Sequence, residues 1–279
     1  MPRSLYHHPI AHYFLKKVDD SLQKHGLSKT FKSIADEYSR GLIINSSPQT
    51  LNSLQHDPLI LICNHPSQAE VFLTLGALPP RQNIFMISIH NLLGIIPALD
   101  QHLIPVYINH RLEAQRKFDW KTKLLNFFHY SPVFSKNKAH QKNIDSIKLA
   151  AQKIDQNSLV IIFPAGGTDN GRDFLPGVGY LVNQVKKYQQ AKIVFAHASG
   201  TSTFDFLRLL PFVDKLMPDF KIEFSPVYSL SDFRHADSKI SARQLQRAYD
   251  RWSAPFYNLP AGKAFALYLR SILFFLLFK

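Results

Sequence analysis

His65 and Glu70, with four residues between them, stand where an apolar segment gives way to a helix start, and together they have the makings of an acid/base pair. Leu59-Ile60-Leu61-Ile62-Cys63 is short, continuous and apolar, the pattern of a strand buried on both faces. Pro66 favours an extended residue before it and a helix after it, which puts His65 at a strand exit. Ser67 can cap a helix carrying Glu70, Val71, Phe72 and Leu75, so the Glu70 carboxylate is expected to fold back towards the His65 ring. Such a carboxylate fixes the imidazole tautomer and stabilises the imidazolium that forms when the ring accepts a proton.

Spacing alone does not select this pair. With 13 histidines and 20 acidic residues in the chain, roughly one His-x4-Asp/Glu match arises by chance. His140 to Asp145 is such a match, but it lies in a charged, helix-periodic segment with no strand before it and reads as a solvated helix face. A strand-to-helix junction, by contrast, is where open α/β sheets place their sites.

A second constellation follows the buried-strand pattern Leu159-Val160-Ile161-Ile162-Phe163. The chain continues Pro164-Ala165-Gly166-Gly167-Thr168-Asp169-Asn170-Gly171-Arg172-Asp173. Glycines permit close backbone approach and can expose several amides, and Arg172 adds a planar donor suited to phosphate. Gly166, Gly167 and Arg172 are therefore candidate substrate-binding residues, against the plainer reading of a surface turn.

Taken in order, the two segments resemble the glycerolipid acyltransferase family, whose first block is Asn-His-x4-Asp/Glu, matched by Asn64-His65-Pro66-Ser67-Gln68-Ala69-Glu70. Phe163-Pro164-Ala165-Gly166-Gly167 is similar to the third block, closest to the Pro-Ser-Gly-Gly-Arg-Asp-Arg form of the soluble, plastid-type glycerol-3-phosphate acyltransferases. Thr168 and Asn170 stand where that form has arginine, so Arg172 has to substitute if phosphate is bound. Leu103-Ile104-Pro105-Val106-Tyr107-Ile108-Asn109-His110-Arg111 resembles the second block, which makes Arg111 a further substrate-binding candidate. The fourth block falls on Lys192-Ile193-Val194-Phe195-Ala196-His197-Ala198 or, later, on Ser225-Pro226-Val227-Tyr228. The resemblance implies that His65 is the general base, oriented by Glu70, for attack of an acceptor hydroxyl on an acyl thioester.

Other chemistries lack their signatures. There is no Gly-x-Ser-x-Gly elbow for a serine hydrolase. Cys63, the single cysteine, is expected to point away from His65 and to serve as buried packing. His7, His8 and His12 are joined by no carboxylate or cysteine pattern, so no metal is expected, and the glycine fingerprint of a dinucleotide cofactor is incomplete. No cofactor beyond the acyl-CoA or acyl-carrier-protein co-substrate is implied.

The elements that must hold these residues form an α/β pattern: a mixed central sheet flanked by helices, preceded by an N-terminal helical extension. Residues 1–50 read as that extension, with helices over Ala11 to His25 and Ser28 to Tyr38. Residues 51–260 read as the acyltransferase domain. Strands are expected near 59–63, 84–89, 103–108, 159–163, 192–197 and 221–228, and helices near 67–78, 142–155 and 177–189. Segment 109–140 reads as a surface insertion. Residues 261–279 are largely apolar, and the run Ala264 to Lys279, with Arg270 inside it, is too short for a comfortable span and better suited to an interfacial helix.

A net charge of +13 points to anionic partners. The basic residues are dispersed and no reader motif is present, so nucleic acid is not expected. An anionic membrane surface and an anionic thioester carrier fit better, with a glycerol phosphate or lysolipid acceptor. The first residues of the chain, Pro2-Arg3 and then histidines, do not read as a signal peptide, and the expected place is the cytoplasmic face of a membrane. Two alternatives stand beside glycerol-3-phosphate acyl transfer: a lysophospholipid or other lipid acyltransferase, and a non-catalytic membrane-associated lipid-binding protein.

Overall fold

A computed structural model describes residues 9–37, 41–65, 69–107, 134–166, 173–201, 205, 208 and 217–257. Among them the elements are α1 (Pro9–Glu37), β1 (Leu42–Asn45), α2 (Pro48–His56), β2 (Leu59–Cys63), α3 (Ala69–Ala77), β3 (Ile84–Ile89), α4 (Pro97–Asp100), β4 (Leu103–Val106), α5 (Lys136–Asp155), β5 (Leu159–Ile162), α6 (Pro176–Gln184), β6 (Lys192–Ser199), β7 (Phe220–Phe224), β8 (Tyr228–Ser229) and α7 (Ser238–Tyr257). The strands form one eight-stranded sheet in the order β1-β7-β6-β2-β5-β3-β4, with β8 paired to β6. Strands β2 to β6 are mutually parallel, whereas β7 and β8 run antiparallel to β6 and β1 runs parallel to β7. The sheet is therefore mixed and flanked by helices, as the sequence pattern implies.

Continuous apolar strands are required because both faces of the sheet are covered. All five residues of β2 are buried. Leu59 and Leu61 enter one core with α1 and α3, while Ile60 and Ile62 enter a second with α5, α6 and α7. Period-two alternation thus feeds two hydrophobic layers rather than a core and a solvent face.

The N-terminal helix belongs to the first of these cores, through Val18, Leu22, Leu27 and Phe31. It is interrupted at Gly26, whose φ of 74° is left-handed, so two helical arms meet there as the sequence suggests. Against this helix α3 packs through Gly76, where an added Cβ would lie 2.8 Å from the Lys32 nitrogen and 2.9 Å from the Phe31 carbonyl carbon. Only glycine lets α1 and α3 come that close.

Several elements differ from the sequence expectation. The strand expected over 221–228 is two strands, because Ser225 and Pro226 break it: the Ser225 hydroxyl takes the Phe195 N–H, and Pro226 has none to give. The loop expected around Ser46-Ser47-Pro48 is the start of α2, with Ser47 as N-cap accepting from Thr50 N and Pro48 in the first turn. Strand β1 and helix α7 were not expected, and α6 ends at Gln184, before the expected 189.

His197 on β6 is 3% exposed, and its Nδ1 lies 2.9 Å from the Tyr249 hydroxyl of α7. Burial pushes its pKa down to about 4. Between that value and an unfolded pKa near 6.5, the unfolded chain binds the extra proton, so this group's stabilisation is present above pH 6.5 and is lost as pH falls towards 4. Urea unfolding at pH 7 and pH 4.5 should show that His197→Gln loses less stability on acidification than the wild type, by about 2 kcal/mol; equal losses in the two proteins would contradict this assignment.

Candidate active site

The site lies at the carboxyl edge of the parallel strands, where β2 and β5 deliver their C-terminal residues side by side. Pairing of Ile62 with Ile162 and of Cys63 with Ala196 places the exit of β2, just before His65, between β5 on one side and β6 on the other. Asn64 fixes this exit. Its Nδ2 donates to the Ala198 carbonyl at 2.9 Å, and the Ala198 N–H donates to its Oδ1 at 2.7 Å. The side-chain amide imitates one more rung of the β2–β6 ladder after the backbone of β2 has turned away.

His65 and Glu70 are brought together. Nδ1 of His65 hydrogen-bonds Oε1 of Glu70. An ionised carboxylate only accepts, so Nδ1–H is the donor and the ring's lone pair lies at Nε2. The His65 side chain is 22% exposed, and that of Glu70 has no exposure at all. Glu70 sits in the first turn of α3, where the helix dipole favours negative charge. Phe163, the residue after β5, covers the imidazole with its ring at 5.1 Å between centroids.

Beyond Phe163 the chain turns sharply. Gly166 adopts φ +63°, and its N–H donates to the Phe163 carbonyl at 3.2 Å. That amide closes the turn on itself, so Gly166 contributes shape here rather than an open N–H donor. Leu175, at the head of α6, donates its N–H to the Pro164 carbonyl at 2.9 Å and so ties the second layer of helices to this edge.

Arg111, Gly167 and Arg172 lie outside the described residues, as do Pro66, Ser67, Gln68, His7, His8 and the apolar segment 261–279. Of the two fourth-block candidates, Lys192 to Ala198 forms β6 beside β2, whereas Ser225 to Tyr228 follows an antiparallel strand and pairs back towards Lys192 at the far edge of the sheet. The rival match behaves as expected: His140 and Asp145 are both exposed on α5. Cys63, the last residue of β2, is buried in the core that carries α3, the packing role expected of it. What silences it is burial, which together with the Glu70 charge pushes its thiol well above the ordinary range.

Sequence reasoning did not identify the Asn64 clamp or a second one like it. Asn143 of α5 accepts from the Tyr107 N–H at 2.7 Å and donates to the Tyr107 carbonyl at 3.2 Å, holding the exit of β4. The Tyr107 ring stacks on His90 at 4.8 Å, and Lys142 stands over it at 4.9 Å. A polar residue directly after an apolar strand was the available signal at Asn64; Asn143 carries none, because its partner is 36 residues away.

A family model described as acyltransferase matches residues 46–194, more than half of the chain. The chain belongs to the acyltransferase family. Both the His65–Glu70 pair and the Phe163–Gly166 turn of this acyltransferase fall inside the matched segment. Among solved structures, it is similar to the 1-acyl-sn-glycerophosphate (LPA) acyltransferase PlsC from Thermotoga maritima, at 12% identity and a TM-score of 0.46, over 90% of this chain and 83% of that one. A search of curated proteins gives no significant match. Among the described residues no helix is long and apolar enough to cross a membrane.

The clamp gives a direct test. Asn64→Ala leaves the buried N–H and carbonyl of Ala198 without their partner, and should lower unfolding stability by about 1–3 kcal/mol in urea titrations. An unchanged midpoint would show that the exit of β2 is held by other contacts.

Proposed function

We propose that this acyltransferase moves a fatty acyl group from an acyl-carrier-protein or coenzyme A thioester to a hydroxyl of glycerol 3-phosphate or a related acceptor, with His65 as general base and Glu70 as its orienting partner. The observation that carries this reading is the hydrogen bond from His65 Nδ1 to a fully buried carboxylate at a half-open strand exit. It sets the tautomer, so Nε2 is the basic nitrogen that meets the acceptor.

In the transfer, Nε2 takes the hydroxyl proton as the acceptor oxygen attacks the thioester carbonyl. The C=O electrons move onto oxygen, giving a tetrahedral oxyanion. Collapse of that intermediate breaks the C–S bond, and the proton held at Nε2 goes to the departing thiolate. Glu70 stays ionised throughout and stabilises the transient imidazolium. No residue of the protein is acylated, which agrees with a buried Cys63 and with the absence of a serine elbow. The same contact weighs against a lipid-binding protein without catalysis, which has no need of a histidine braced by a buried carboxylate.

Location at the inner face of a membrane is part of the proposal. It is supported by the charge of +13 and by the apolar residues near the C-terminus, and anionic lipid and an anionic donor are the expected partners.

A purified wild type should release thiol from acyl thioesters only when a suitable acceptor is present, tested across glycerol 3-phosphate, lysophosphatidate and no acceptor. His65→Ala should lose about 10² to 10⁴ in kcat while keeping its fold by circular dichroism. Release that does not depend on His65, in a folded variant, would remove the mechanism.

A further inference from the structure

Beside this site, α6 and α7 border a groove of about 430 Å3, the size of a small-molecule pocket. Its lining includes Lys239, Arg243 and Arg247, which recur at four-residue intervals and so share one ridge of α7. All three are exposed, and among the described residues their side chains make no ion pair. Half-buried Phe174 offers the groove an apolar ring. Two carboxylates, Asp173 and Asp250, also line it. They act on each other, for burial and then the Asp173 charge push the Asp250 carboxyl up. Gln246 braces this part, donating to Asp173 at 3.4 Å and accepting the Phe174 N–H at 3.0 Å. Three cations against two carboxylates leave the lining at net +1. Pro176, in the first turn of α6, also lines the groove, and the N-cap residue Leu175 supplies no side-chain bond to the helix start. The positive end of that helix adds to the same potential.

The groove opens close to the reacting centre. Phe174 and Pro176 flank Leu175, whose N–H is bonded to Pro164, and Pro164 follows the Phe163 that covers His65. We infer that this groove receives the phosphate-bearing nucleotide end of a coenzyme A thioester, with the pantetheine arm crossing the Phe163–Gly166 turn to bring the thioester carbonyl to His65. The inference rests on the acyl transfer proposed above and names its donor. Cations that line a concavity suit a compact organic phosphate; an anionic bilayer would be met by a flat or convex face.

The experiment measures calorimetric binding of coenzyme A and of 3′-dephospho-coenzyme A to the full chain. It compares wild type with Arg243→Gln/Arg247→Gln, with Arg251→Gln and with His65→Ala. Arg251 continues the basic ridge but does not line the groove, so it controls for net charge. Coenzyme A should bind wild type, His65→Ala and Arg251→Gln within about twofold of one another, and the double variant at least tenfold more weakly. Wild type should also bind the dephospho form more weakly than coenzyme A, and the double variant should have lost most of that preference. Equal binding by the double variant, no binding by wild type, or an equal loss in Arg251→Gln would overturn the groove. Kinetics separate this from the catalytic reading. Turnover of acyl-coenzyme A with an unchanged KM in the double variant overturns the groove and leaves acyl transfer standing. Arginine-dependent binding without thiol release to any acceptor supports the groove and removes the catalytic reading. Turnover confined to carrier-protein thioesters overturns coenzyme A as the occupant.

Discussion

A carboxylate without solvent exposure must be surrounded by groups that favour its charge, and much of this molecule is arranged around that requirement at Glu70. Two sources of support are visible: the positive amino end of α3, and the N–H of His65. Neither works unless α3 begins directly above the end of β2. The close contact of Gly76 with the backbone of α1 sets how α3 lies on the sheet, and the Asn64 clamp sets where β2 stops being a strand. A rigid scaffold on both sides therefore holds the pair in register, with little left to side-chain freedom.

The sheet contributes a second constraint. Five parallel strands direct their carboxyl ends the same way, so residues following β2, β3, β4 and β5 converge on one edge. Antiparallel β7 and β8 send their carboxyl ends the other way. Asparagine amides at Asn64 and Asn143 extend the hydrogen-bonding of the sheet past the ends of β2 and β4, holding loop residues with near-strand precision. That edge joins an imidazole braced on a carboxylate to an aromatic cover supplied about a hundred residues later in the chain.

The parts legible in the sequence were those with local causes. Buried parallel strands announce themselves as apolar runs, which is why β2, β3 and β5 begin where expected, and a histidine after such a run followed by a helix start points to its partner five residues on. Elements whose reasons lie far away in the chain were not legible. Strand β1 has only the four residues Leu42–Asn45 and exists because β7 pairs with it. The split of 220–229 follows from Ser225 bonding Phe195, thirty residues earlier. Helix α7 is a different case: Ala242, Leu245 and Tyr249 recur at helical spacing and all enter the second core, a signal that was present and went unused.

The central claim is that buried Glu70 makes His65 a competent base. Its most direct test is the pH–rate profile of thiol release by wild type and by Glu70→Gln, which keeps shape but cannot hold a negative charge. The account predicts a folded variant whose kcat at the optimum is lower by about 10² or more, because neither the tautomer nor the imidazolium is supported. A folded Glu70→Gln protein with a wild-type profile would contradict it.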